Sequence, residues 1–198
     1  QGRGVNERDP TTPMIAIIEH ADVRRMLLRA KCFAEGSFAL CLYASRLIDD
    51  AKAGHPEAQI LADLLTPIVK AWPSDYALEA NSIAIQIHGG AGYTRDFPVE
   101  RLWRENRINA IHEGTNGIQA ADLVGRKLGM RGGDAVREHL SHIGQEAGEH
   151  AALKALAGAC TEVAEWMIGS ASTDDKLAGS YPFTTMMAVA TCGNLMAK

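Results

Sequence analysis

At 198 residues, with 46% apolar and 22% charged side chains, the chain is long enough to bury a substantial core and has an ordinary globular composition. A net charge of −4 and a pI near 6.0 provide no basic footprint for nucleic acid or an anionic membrane surface. No apolar run approaches the roughly 20 residues of a membrane span and no signal peptide is visible, so a cytoplasmic protein is expected.

Residues 1–13 are rich in Gly, Arg, Pro and Thr without periodicity and read as a loop. Because the chain begins on Gln1 rather than Met, it is expected to be a piece of a longer polypeptide. From Asp22, a plausible N-cap, apolar or small residues recur at Val23, Met26, Leu27, Ala30, Phe33, Ala34, Phe38, Cys41, Ala44 and Ile48. Spacings of three and four predict one buried face of a long helix. Gly54 and Pro56 interrupt it. A second helix from about Glu57 carries Ile60, Leu61, Leu64, Leu65, Ile68, Val69 and Trp72, with a kink expected at Pro67. Pro73-Ser74-Asp75 is expected to restart the chain as a third helix, which runs through Ala77, Leu78, Asn81, Ala84, Ile85 and His88 into a glycine turn and puts Gln86 on its last turn.

That turn, Gln86-Ile87-His88-Gly89-Gly90-Ala91-Gly92-Tyr93, exposes backbone N–H groups at a helix end, a geometry that suits phosphate. A helix stop on glycine explains the spacing equally well. Residues 94–107 crowd Arg95, Asp96, Glu100, Arg101, Arg104, Glu105 and Arg107 around Phe97, Val99, Leu102 and Trp103, and an ion-pair network bracing the next loop is expected. In that loop, Ile111-His112-Glu113-Gly114-Thr115-Asn116-Gly117-Ile118-Gln119, Glu113 follows an apolar run and suits a base if a pocket lies beside it. The bland alternative is a carboxylate serving the start of the next helix. Thr115 is the expected N-cap of that helix, with Ile118, Ala121, Val124 and Leu128 inward. After a linker at 130–133, amphipathic helices are predicted over about 135–147, 151–168 and 175–196.

No strand-like alternation is present, so the fold class is all-α, a helical bundle over 1–130 with a helical C-terminal extension over 131–198. The thiols Cys32, Cys41, Cys160 and Cys192 lack Cys-x-x-Cys spacing and read as buried and free. His139, His142, Glu146 and His150 fall at helical spacing and suggest a bundle metal, but the extension offers only carboxylates such as Glu162 and Glu165 as further ligands. A solvated polar face is the preferred reading, and no metal residues are assigned.

The two loop motifs, in this order and separated by Phe97-Pro98-Val99-Glu100-Arg101 and Arg104-Glu105-Asn106-Arg107-Ile108, closely resemble the C-terminal helical domain of the acyl-CoA dehydrogenases. Ala121-Asp122-Leu123-Val124-Gly125-Arg126-Lys127 resembles the branch with an extra helical extension. The resemblance implies an FAD-dependent enzyme that converts an acyl-CoA to its trans-2-enoyl-CoA, with this chain a part inactive alone. It implies that Glu113 is the base that takes the α-proton and that Gly114 leaves room for the thioester. Gln86, Gly89, Gly90 and Gly92 would hold the FAD diphosphate of a neighbouring subunit, and Thr115 and Gln119 would also contact FAD. A homodimer or homotetramer follows, with electron-transfer flavoprotein or a similar acceptor as redox partner. The resemblance places a flavin-binding arginine near the N-terminal segment, either Arg3 or a residue upstream. His112 departs from the family's usual Tyr and bears on substrate range. An oxidase or non-dehydrogenase of the same fold, and a cofactor-free helical oligomerisation module, are the alternatives.

Overall fold

The computed structural model describes residues 2–4 and 6–197; Gln1, Val5 and Lys198 lie outside the described residues, so the expected 1–13 loop is known only for the remainder. Among the described residues there are seven α-helices and no strand: α1 (Ala21–Lys52), α2 (Pro56–His88), α3 (Val99–Asn106), α4 (Asn116–Asp122), α5 (Asp134–Glu146), α6 (Ala151–Gly169) and α7 (Thr173–Met196). Among the described residues no helix is long and apolar enough to cross a membrane.

α1 and α2 form an antiparallel hairpin. Its corner is built by Gly54 at φ 98, which returns the chain after the last turn of α1, and by Pro56 at the first turn of α2, where a missing N–H costs nothing. α1 starts one residue before Asp22, with His20 as N-cap, so Asp22 lies in the first turn and pairs with Arg25 instead of capping. The predicted inner face of α1 holds at Val23, Met26, Ala30 and Phe33, which are half-buried. Further along it is displaced: Gly36, Leu40 and Leu47 are buried, whereas Phe38 is 67% exposed and Ile48, Leu27 and Cys41 are also exposed. Leucines and phenylalanine occur around the whole helix, so periodicity alone does not select the stripe. The partner does. Gly36 lets Trp72 of α2 and Cys192 of α7 approach to 3.5 Å of where its Cβ would sit.

The restart expected at Pro73 is absent, and α2 runs unbroken for 33 residues through Pro67 and Pro73. Each proline removes one backbone donor; burial on both sides of Pro67 outweighs the loss there, and Pro73 lies between the buried Trp72 and Ser74. Leu64, Leu65 and Ile68 are fully buried, with Ala71 and Trp72 nearly so. Thr66 Oγ1 donates to the Ala62 carbonyl (2.7 Å) and Ser74 Oγ to the Lys70 carbonyl (2.8 Å), adding bonds beside each proline.

The extension follows the sequence pattern closely. Arg131, Gly132 and Gly133 all take positive φ and reverse the chain between α4 and α5, and Arg131 there bonds Glu57 of α2 (2.7 Å) and Glu138 of α5 (3.0 Å). Ser172 and Asp175 form a reciprocal capping box at the start of α7. The core is continuous across residue 130. Leu40, Leu64, Leu65, Ile68, Leu123 and Leu128 share one apolar cluster with Val136, Leu140, Ile143, Met167, Phe183 and Met187. Of the four free cysteines, Cys160 and Cys192 are buried as expected, whereas Cys32 and Cys41 lie on the solvent side of α1.

Candidate active site

The segment 107–119 leaves α3 by a 3-10 turn over Arg107–Ala110 and enters α4 at Asn116. Between them Glu113 (φ 54) and Gly114 (φ 86) take consecutive left-handed conformations. For a non-glycine residue this backbone is uncommon and is held only where surrounding contacts enforce it. The contacts come from three directions. Thr115 caps α4 as predicted, its Oγ1 accepting from the Ile118 N–H (3.3 Å). Gln119 Nε2 donates back to the Glu113 carbonyl (3.3 Å). Lys70 of α2 donates from Nζ to the Gly114 carbonyl (2.6 Å) and to Asn116 Oδ1 (2.7 Å). Ile118, expected inside, is 62% exposed, because α4 turns Asn116 and Ala120 inward, and the π-helical turn Leu123–Lys127 that follows buries Leu123 and Val124.

Glu113 and His112 border a cavity of about 370 Å³ whose far wall is the middle of α2, at Lys70, Pro73, Ser74 and Ala77, with Asn106 and Asn109 between. The pocket that a general base requires is therefore present beside the carboxylate. A Cβ on Gly114 would come within 3.2 Å of Gln119 Nε2, so a side chain there would also displace the strut from Gln119 to Glu113.

The glycine turn is a separate place. α2 ends at His88, with Gln86 on its last turn as predicted, and Gly89–Tyr93 continues as a 3-10 turn. Gly89 (φ 59) and Gly90 have open space where a Cβ would be, leaving their backbone accessible. Gly92 differs: it is buried, and a Cβ would lie 2.7 Å from the Ile85 carbonyl and 2.8 Å from His88 Cβ. Lys70 and Gln86 are sixteen residues apart on one helix, about 24 Å of axial rise, so the glycine turn and the Glu113 loop do not share a pocket within this chain. Beside the turn, Tyr93, Arg95, Trp103 and Arg104 line a hollow of about 590 Å³, whereas Gln86 borders another with Arg25, Arg29 and Glu79. Among the described residues, the expected ion-pair network in 94–107 reduces to Arg101–Glu105 (3.2 Å). The segment is tied down instead by Asn106 Nδ2 donating to Asn81 Oδ1 (3.0 Å) and by Phe97 against the His88 ring (5.2 Å). Arg3 turns into its own loop, donating to the carbonyls of Thr12 (2.8 Å) and Pro10.

These arrangements coincide with a known domain. The family model for the acyl-CoA dehydrogenase C-terminal domain matches residues 8–128. The chain belongs to the acyl-CoA dehydrogenase family. It is 41% identical to 3-methylmercaptopropionyl-CoA dehydrogenase of Ruegeria pomeroyi over 68% of this chain and 24% of that protein. It is 33% identical to a butyryl-CoA dehydrogenase of Syntrophomonas wolfei over 95% of this chain and 33% of that one. The chain spans about a quarter to a third of the length of these curated relatives. The fold is also that of Bd2924 in its apo form (TM-score 0.79, 20% identity, covering 96% of this chain and 36% of that one). Caenorhabditis elegans ACDH-11, solved with C11-CoA, gives a TM-score of 0.71 at 18% identity over 87% of this chain and 31% of that one.

Of the four residues of this acyl-CoA dehydrogenase domain read as a solvated polar face, His142, Glu146 and His150 are exposed, and His139 alone departs from it. His139 is buried, its Nε2 bonded to Thr191 Oγ1 of α7 (3.0 Å), and burial pushes its pKa down to about 4. His142 instead pairs with Glu146 (3.0 Å), and His150 is exposed. Among the described residues no three His, Cys, Asp or Glu side chains converge as metal ligands would. The residues that sequence reasoning missed are Lys70, Ser74 and Asn116. The available signal was Lys70 itself, a charge inside the apolar run Ile68-Val69-Lys70-Ala71-Trp72.

Proposed function

We propose that the chain is the C-terminal part of an FAD-dependent acyl-CoA dehydrogenase that forms a trans-2-enoyl-CoA, with residues 1–130 its helical bundle and 131–198 an extension of it. The observation that carries this reading is the carboxylate of Glu113, set on a left-handed loop beside a cavity and directly ahead of the N-terminus of α4. Glu113 takes the α-proton of the acyl thioester. Gly114 leaves space for the thioester, and the Glu113 backbone N–H donates to its carbonyl as charge develops there. FAD, when bound, supplies the acceptor for the β-hydride.

The residues fit the cofactor at the points where a large ligand needs bare backbone and free polar side chains. Gly89 and Gly90 are open, and Gln86 is exposed on the last turn of α2. Thr115 and Gln119 add polar groups beside Glu113. Gly92 belongs to the turn's shape, since its missing side chain is what lets the turn close on Ile85. Because the glycine turn at the end of α2 stands apart from the Glu113 loop, which lies beside the middle of that helix, the turn serves the FAD of a neighbouring copy, in a homodimer or homotetramer. Four free thiols suit a reducing, cytoplasmic setting, and an electron-transfer flavoprotein or similar acceptor would take the electrons.

The test uses the full-length polypeptide. Glu113→Gln keeps size and hydrogen bonding but removes the proton acceptor, so FAD and acyl-CoA should bind while anaerobic flavin reduction slows by about 100-fold to 10,000-fold. A reduction rate within a few-fold of wild type would make Glu113 a structural carboxylate.

A further inference from the structure

We infer that Lys70 is a positioning residue for the reaction: its ammonium group, with Asn116, locks the left-handed turn that aims the Glu113 carboxylate into the cavity. The inference rests on Glu113 being the base.

Lys70 Nζ reaches two acceptors that flank the turn, the Gly114 carbonyl at 2.6 Å and Asn116 Oδ1 at 2.7 Å, although it stands 44 residues away in the chain. Asn116 is 4% exposed and binds the same stretch of α2 in return: Nδ2 donates to the Ala71 carbonyl (3.1 Å) and to Ser74 Oγ (2.9 Å). Two consecutive left-handed residues, the first bearing a side chain, need such enforcement, and a charged donor gives a stronger bond than a neutral one. Both bonds lie on the C-terminal side of Glu113, so they hold the peptide that follows it while leaving the carboxylate itself free. Lys70 and Glu113 line the same cavity, and both acceptors of the Lys70 ammonium are neutral oxygens that flank the turn, neither of them the Glu113 carboxylate. The lysine therefore acts through the backbone of Gly114.

The brace continues into the extension. Asp75, next to Ser74, accepts a hydrogen bond from Tyr181 of α7, and its carboxyl also meets the Asn116 side chain. α7 thus buttresses the turn of α2 that carries Lys70 and Ser74.

The experiment takes the full-length, FAD-loaded protein and follows anaerobic flavin reduction by octanoyl-CoA and butanoyl-CoA, using whichever reduces the wild type. Both acceptors of Lys70 are neutral, a backbone carbonyl and an amide oxygen, so Lys70→Met leaves no unpaired charge behind. It should lower the limiting reduction rate by about 100-fold, as a displacement of the base of about 1 Å does. The acyl-CoA Kd should stay within threefold and the FAD content should be unchanged. Lys70→Arg, which can donate to both acceptors, should recover the rate to within about tenfold of wild type. Asn116→Ser should show the same split between rate and binding. A Lys70→Met rate within threefold of wild type overturns the inference, as does a loss confined to Kd or FAD content. Failure of both Lys70→Met and Asn116→Ser to load FAD would assign the pair to folding and overturns it as well. Glu113→Gln, measured alongside, separates the two ideas. If Glu113→Gln is inactive and Lys70→Met is normal, only the positioning role fails; if Glu113→Gln is normal, the base assignment fails first.

Discussion

His139 gives the domain a defined acid sensitivity. Its ring is 6% exposed, its Nδ1 has no hydrogen-bond partner, and its Nε2 meets only the Thr191 hydroxyl, so a proton added to the ring would be a charge sealed between α5 and α7. His142, on the next turn, also disfavours it, and the folded-state pKa falls from 6.5 to about 4. The unfolded chain takes up a proton below about pH 6.5, whereas the folded chain refuses it until about pH 4. Stability from this group is therefore complete above pH 6.5 and is lost as pH falls through that window. At about 1.4 kcal/mol per pH unit, the full loss is about 3 kcal/mol. Carboxylates titrate in the same range, so the measurement is a difference: urea unfolding of wild type and His139→Leu at several pH values between 7 and 4. Thr191 Oγ1 still donates to the Met187 carbonyl (2.8 Å) in the variant, which avoids leaving a buried donor unpaired. The wild type should lose stability relative to His139→Leu by about 3 kcal/mol as pH is lowered through the window. A difference that stays flat from pH 7 to pH 4 would refute the reasoning, because it would mean that His139 titrates alike in both states.

Gly92→Ala should destabilise the chain by about 1–3 kcal/mol through the contact with the Ile85 carbonyl, and in the full-length protein it should weaken FAD retention; equal melting temperatures for variant and wild type would contradict this packing. Thiol titration of the native chain should label Cys32 and Cys41 within minutes and spare Cys160 and Cys192, whose pKa values burial pushes up to about 11 and about 12. Four equally fast thiols would show that α6 and α7 are not packed as described.

The helical class, the three helices of the extension, the Thr115 cap, the corner at Gly54 and the arrival of α2 at the glycine turn were all legible in the amino-acid sequence. Each depends on local chemistry: a periodicity, a cap, or a backbone conformation that only a few residues adopt easily. The tertiary structure decided the remainder. Pro73 reads locally as a break, yet it stays inside α2, where the buried Ser74 beside it bonds the Lys70 carbonyl and the Asn116 side chain. The buried stripe of α1 shifts to Gly36, Leu40 and Leu47 because α2 and α7 select among several apolar faces that the sequence offers. At the candidate site Glu113 and Gly114 stand out in the sequence, but the lysine that braces them lies 44 residues earlier, in a stretch of α2 that carries no motif. Such a contact has no local signature, since it exists only once the middle of α2 and the start of α4 have been packed together.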